Sequence, residues 1–312
     1  MNPRSPIRFA FALAAVATAC AGSNGASPSV VATGFGDAAA ADTGVLVPSE
    51  GGAEIAVTLR FRSQVGDAPF DCGAVFANVG TTGARLSPLD FRVYVHDVRL
   101  VDEQGVEVPV ALEQDDTWQY RETALLDFED KSGTCASGTT ETHVVLTGHT
   151  RKGSYRGLRF RVGVPFDLNH GDAATAPSPL NLSGLFWSWA DGYKFARMDA
   201  RITSATTNVM SGFLMHLGST GCSADSRGGI VTCTHPNVGE VSLSGFDPLT
   251  QPVIADYGAL FGAAALDRNT GGAPGCMSEP GDPECAALLP NFGIDITTGG
   301  PHAASQTLFR HE

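Results

Sequence analysis

The chain lacks most of the short spacings that announce a site. It has eight histidines, yet no His-x-His, His-x-x-x-His or His-Glu-x-x-His, so no metal site can be read from one helix or hairpin. Imidazole ligands, if used, must converge from separate strands. No Cys-x-x-Cys occurs, which argues against a cysteine-rich metal site. There is no Gly-x-Ser-x-Gly nucleophile elbow. The pair Gly228-Gly229 is not followed by the Lys-Ser/Thr of a phosphate loop. Asp167 and Asp172 do not have calcium-loop spacing, and the acidic pairs Asp115-Asp116 and Glu129-Asp130 flank turns and read as solvated. Positive charge is scarce: 20 Lys and Arg stand against 33 Asp and Glu, for a net charge of −13. Phosphate contacts need cations, so nucleic acid is excluded as a partner. An acidic exterior fits cation capture and, equally, simple solubility. There is no internal repeat and little helix.

Long apolar runs are also missing. The stretch Phe9 to Val16, preceded by Arg4 and Arg8, is too short to span a bilayer and reads as the core of a signal peptide over residues 1–19. Ala17-Thr18-Ala19-Cys20 reads as a lipoprotein cleavage box, with ordinary cleavage at the Ala-x-Ala site as the alternative. Cys20 is then the lipidated mature N-terminus, followed by Ala21. That predicts an exported protein in the periplasm, or at the outer membrane or cell surface, attached to membrane through lipid only. Residues 20–51 are rich in Ala, Gly, Ser and Thr and read as a flexible tether. The folded domain is expected over residues 52–312.

Setting Cys20 aside, the seven cysteines become six: Cys72, Cys135, Cys222, Cys233, Cys276 and Cys285. An oxidising compartment makes disulfides the default. Pairing of neighbours in order is expected, because the loops 222–233 and 276–285 are short and rich in Gly, Pro, Asp and Ser.

What is present is period-two alternation. Ile55, Val57, Leu59 and Phe61 alternate with polar residues, as do Leu158, Phe160 and Val162. Phe91, Val93 and Val95 take one parity, then Val98 and Leu100 take the other. That phase change predicts a bulge or face switch at His96-Asp97. Further strands are expected at 144–146, 193–200, 213–218, 241–246 and 308–309. Many short strands with turn signals predict an all-β, antiparallel Greek-key-type β-sandwich. A helix is predicted over 252–266, another over 283–289, within a C-terminal extension stapled by Cys276 and Cys285.

Candidate ligands follow from placement. His216 sits mid-strand in an apolar run, either buried and hydrogen-bonded or turned to a site. His96 sits at the predicted bulge, which can re-aim a side chain; the bland alternative is a solvated face. His170 lies in a polar loop. His143, His149 and His235 read as exposed, and His302 and His311 carry no assigned role. Trp187 and Trp189 are two apart and share a face of an extended strand; read alone, they are core anchors. Met215 and Trp118 read as structural.

Several motifs together resemble the MbnP family of secreted copper-binding proteins. They are Tyr94-Val95-His96-Asp97-Val98-Arg99-Leu100, Leu125-Leu126-Asp127-Phe128-Glu129, Pro165-Phe166-Asp167-Leu168-Asn169-His170, residues 186–195, His216-Leu217-Gly218-Ser219-Thr220-Gly221-Cys222 and Gly272-Ala273-Pro274-Gly275-Cys276-Met277. The resemblance runs from about residue 52 to the end. It implies a β-sandwich exported alongside a di-haem peroxidase that oxidises one tryptophan to kynurenine, with copper then bound at the modified residue. It implies Trp189 or Trp187 as the oxidised residue, and His216, His96 and His170, in that order, as ligands. The expectation is a binding protein, not an enzyme. Its rivals are an adhesion or carbohydrate-binding sandwich with an exposed tryptophan platform, and a periplasmic enzyme using His96, His216 and an acid.

Overall fold

The computed structural model describes residues 52–188 and 190–312. The signal segment, Cys20, the tether and Trp189 lie outside the described residues. The described chain is a β-sandwich of two large sheets, with strand Glu54–Val65 central to the smaller and Arg92–Asp102 central to the larger. The alternating residues Val57, Leu59 and Phe61 point inward and are buried. Phe61 meets Phe160 of the facing sheet edge-to-face at 6.0 Å, and Phe309 closes the same cluster. Each such ring removed from water contributes on the order of 1.5–3 kcal/mol.

Among the described residues, strand pairing is antiparallel with two exceptions. Val253–Asp256 adds parallel to Glu54–Val65, and Gly275–Cys276 adds parallel to Met210–Leu217. The first corrects the helix expected over 252–266. Val253, Ile254 and Ala255 are all buried, so this strand is apolar on both faces and shows no alternation. Only Tyr257–Phe261 is helical, capped by the Asp256 carboxylate, which accepts from the Ala259 N–H at 3.0 Å. The helix expected at 283–289 is a pair of 3-10 turns, Cys285–Ala287 and Leu289–Phe292. The strand expected over 193–200 is broken into Gly192–Tyr193, Ala196–Arg197 and Ala200–Thr203.

The disulfides join neighbours in order: Cys72–Cys135, Cys222–Cys233 and Cys276–Cys285. The first and last are buried, whereas Cys222–Cys233 crosses a half-exposed hairpin.

The phase change in Arg92–Asp102 is a β-bulge. Asp97 has φ 51°, and three steps from His96 to Arg99 face two steps from Arg159 to Arg161. Just before it, the strand changes neighbours. Tyr94 donates its N–H to Phe195 (2.7 Å) and accepts from the Gly163 N–H (2.9 Å). Residues 164–194 therefore leave the sheet and return to it on one flank of the same strand. This excursion carries His170, Trp187 and Tyr193. It is pinned by Tyr94 Oη donating to Pro179 O (2.7 Å) and Tyr193 Oη donating to Leu180 O (2.5 Å).

Candidate metal centre

Trp187 closes over the strand Met210–Leu217. Its ring centroid lies 6.2 Å from that of His216, tilted by 54°. The approach needs glycine at 218: a Cβ there would stand 2.4 Å from Cζ3 of Trp187 and 2.7 Å from the Tyr193 carbonyl oxygen. Trp187 is half-buried and His216 is buried.

His216 faces a carboxylate. Its Nε2 lies 3.0 Å from Oδ1 of Asp199 and 3.3 Å from Oδ2. Arg197 holds the same carboxylate through Nε at 2.7 Å and reaches Asp90 at 3.2 Å, and Arg92 pairs with Asp90. Two guanidiniums and two carboxylates thus form a buried, charge-balanced chain that ends on the imidazole. Burial pushes the Asp199 carboxyl up, but His216 and Arg197 together outweigh it and hold it below the usual range. A carboxylate on Nε2 fixes the Nε2–H tautomer and leaves the lone pair on Nδ1, the arrangement that orients metal-ligating histidines.

The backbone here is fixed from the C-terminal extension. Ser278 Oγ donates to His216 O (2.9 Å) and accepts from the Gly218 N–H (3.0 Å), while Asn237 Nδ2 donates to Gly218 O (2.8 Å). The Cys276–Cys285 staple sits two residues before Ser278. On the other side, Asn169 accepts from the Tyr193 N–H (2.8 Å) through Oδ1, and Nδ2 donates to Ser219 Oγ (3.3 Å). His170, the next residue, is thereby tied to the turn that follows His216.

His96 is placed differently. It is buried at the bulge with Nδ1 2.9 Å from Gly163 O, where the excursion leaves the sheet. Burial, with no carboxylate bonded to the ring, lowers its pKa to about 4. Among the described residues no hydrogen bond or ring contact joins His96 to Trp187 or His216. The solvated-face alternative for His96 does not describe this position.

Three histidine and acid readings change. His235 is half-buried, with Nε2 3.2 Å from Thr297 O. His143 is half-buried, with Nδ1 2.6 Å from Leu125 O, and stacks flat on Trp118 at 5.1 Å. Glu129 is buried, not solvated, because it folds inward to accept from the Lys131 and Thr139 N–H groups. Asp199, Ser278, Asn169 and Asn237 had no role in the sequence reading. Their partners are distant in sequence, and the local sign is the Arg197-x-Asp199 spacing, which sets a guanidinium beside a carboxylate.

Two further groups bring possible ligand atoms within 4.8 Å: His170 with Cys222 and Cys233, and Glu129 with Cys72 and Cys135. In both, the sulfurs are already joined to each other.

Comparisons with known proteins give the family and the fold. The MbnP family model matches residues 54–278. The solved structure of MbnP from Methylosinus trichosporium matches at 32% sequence identity and a TM-score of 0.71, over 82% of this chain and 98% of that one. A comparison with curated proteins gives no match. The family match takes in the bulged His96 strand, the excursion with Trp187, the His216 strand and Ser278, and on that extent the chain belongs to the MbnP family.

Proposed function

We propose that this protein is an exported copper-binding protein whose site is completed by oxidation of a tryptophan, with a role in copper acquisition or homeostasis. Membership of the MbnP family supports copper as the cargo. The observation that carries the site is Trp187 packed against His216, itself oriented by Asp199. As encoded, this set fits copper only in part. His216 Nδ1 supplies a neutral nitrogen donor, but an indole N–H can donate and not ligate. Opening the indole to kynurenine supplies an aniline nitrogen and a ketone beside that imidazole. The set does not include His96, which clamps the start of the excursion, or His170, which lies on it beside Cys233; Trp189, outside the described residues, is the other candidate for oxidation.

The oxidant in this reading is a partner di-haem peroxidase docked at the surface, with Trp187, Trp189, Tyr193 and Tyr94 as the oxidisable rings. The nearby phenols are poor resting places for the hole. Tyr94 and Tyr193 stack edge-to-face at 6.0 Å, but each donates to a backbone carbonyl, which does not take up a phenol proton. Burial pushes both phenols up, Tyr193 to about 12. Oxidation is therefore directed to tryptophan. An exposed stacking platform is not favoured, because Trp187 is half-buried against Gly218 and His216.

The test is intact mass and peptide mapping of protein from its native host, where conversion to kynurenine appears as a small net gain on one tryptophan. Copper binding is expected to vanish in the Trp187→Phe/Trp189→Phe double variant. Unchanged copper and absorbance there would end the proposal. Lipid attachment is tested separately: Cys20→Ser is expected to release the protein from the membrane fraction.

A further inference from the structure

We propose a second, redox-gated site for a soft metal ion, made of His170, Cys222 and Cys233 once the disulfide between the two cysteines is reduced. It goes beyond the copper site above and uses none of Trp187, His216 or Asp199. The three ligand atoms lie within 4.8 Å of one another, and His170 Nε2 is 3.5 Å from Cys233 Sγ.

The hydrogen bonds decide what that nitrogen presents. Asn169 Oδ1 accepts from the Tyr193 N–H, which fixes the amide orientation. Its Nδ2 is then the donor, directed to Ser219 Oγ and to His170 Nε2 at 3.3 Å. Nε2 is thus an acceptor carrying a lone pair beside a sulfur that, in a disulfide, has no proton to give. That lone pair is held by the Asn169 amide while the disulfide is intact, and it exchanges this hydrogen bond for the metal once two thiolates stand beside it.

Accessibility singles out this disulfide. The other two are buried, with every cysteine at 3% exposure or less. Cys222 and Cys233 face each other across a hairpin whose residues Ser223, Ala224, Val231 and Thr232 are exposed. A small dithiol reductant in solution reaches them first. It transfers two electrons and two protons, the S–S bond breaks, the dithiol becomes a disulfide, and two thiols remain on the hairpin. Metal binding then displaces the two thiol protons to solvent. Two thiolates and an imidazole form a soft set that selects Cu(I) over hard divalent ions.

The experiment uses the mature protein treated with dithiothreitol, desalted without air, and titrated with Cu(I) against a chromophoric chelator. Alkylation mapping is expected to label Cys222 and Cys233 ahead of the other four cysteines. The reduced protein is expected to bind one further Cu(I) relative to the oxidised protein. The Cys222→Ser/Cys233→Ser variant loses that gain. His170→Ala weakens it by at least roughly the tenfold that even loss of an outer-shell partner costs. No further Cu(I) on reduction overturns the proposal. So does a gain that survives the double substitution, or one indifferent to His170→Ala. Copper bound by the oxidised protein reports on the Trp187–His216 site in the same titration, so the two readings fail separately.

Discussion

His96 and His216 are both buried in the larger sheet, on strands that flank the short Ala196–Arg197 strand, but their wiring is opposite. His96 gives its Nδ1 proton to a carbonyl, has no bonded carboxylate, and is held neutral by burial. His216 gives its Nε2 proton to Asp199, at the end of a chain of compensated charges. One imidazole clamps the point where the excursion departs. The other is aimed and backed by a carboxylate at the point where Trp187 closes. Burial alone does not make a ligand; the partner behind the ring does.

The sharpest way to break this contrast is to remove each ring. His216→Ala is expected to abolish copper binding by the matured protein. His96→Ala is expected to lower stability while changing affinity far less. Equilibrium copper titration and denaturant unfolding read the two effects, and the reverse pattern would refute the assignment.

Acid comes next. The folded pKa of His96, about 4, lies below its ordinary value near 6.5, so the unfolded chain binds the extra proton first. Stability from this group is intact above pH 6.5 and is lost as pH falls toward 4, by about 3 kcal/mol. Asp127 acts in the opposite sense. Burial, and then the charge of Glu129, raise its carboxyl to about 8, so its contribution is lost as pH rises from about 4 toward 8. His96→Gln should flatten the acid limb alone in unfolding midpoints measured from pH 7 to 4.

Asp199→Asn tests the backing of the other ring. It should cost copper affinity roughly 10–100-fold without unfolding the protein. An affinity equal to wild type would show that the carboxylate is structural only. Ser278→Ala is expected to act on stability, because it leaves the Gly218 N–H and the His216 carbonyl short of a partner. A loss of about 1–3 kcal/mol is expected, read as a lower unfolding midpoint.

Much of the fold was legible because strands buried on one face alternate. The 54–65 strand and the bulge at His96-Asp97 both left their period in the sequence. The 253–256 strand did not: with both faces covered, its apolar run imitates a helix. Trp187 and His216 stood out through local motifs. Asp199 and Ser278 did not, since they meet His216 from 17 and 62 residues away. Such contacts are set by strand order, which no short window of sequence contains.

The serine bridge from Ser278 also sets an order of events. During synthesis the histidine strand, the tryptophan excursion and the carboxylate exist well before residue 278 emerges. Until it does, the His216 carbonyl and the Gly218 amide lack their shared partner, and Asn237 holds the Gly218 carbonyl alone. A chain ending short of residue 278 is therefore expected to lack the clamp between the His216 carbonyl and the Gly218 amide.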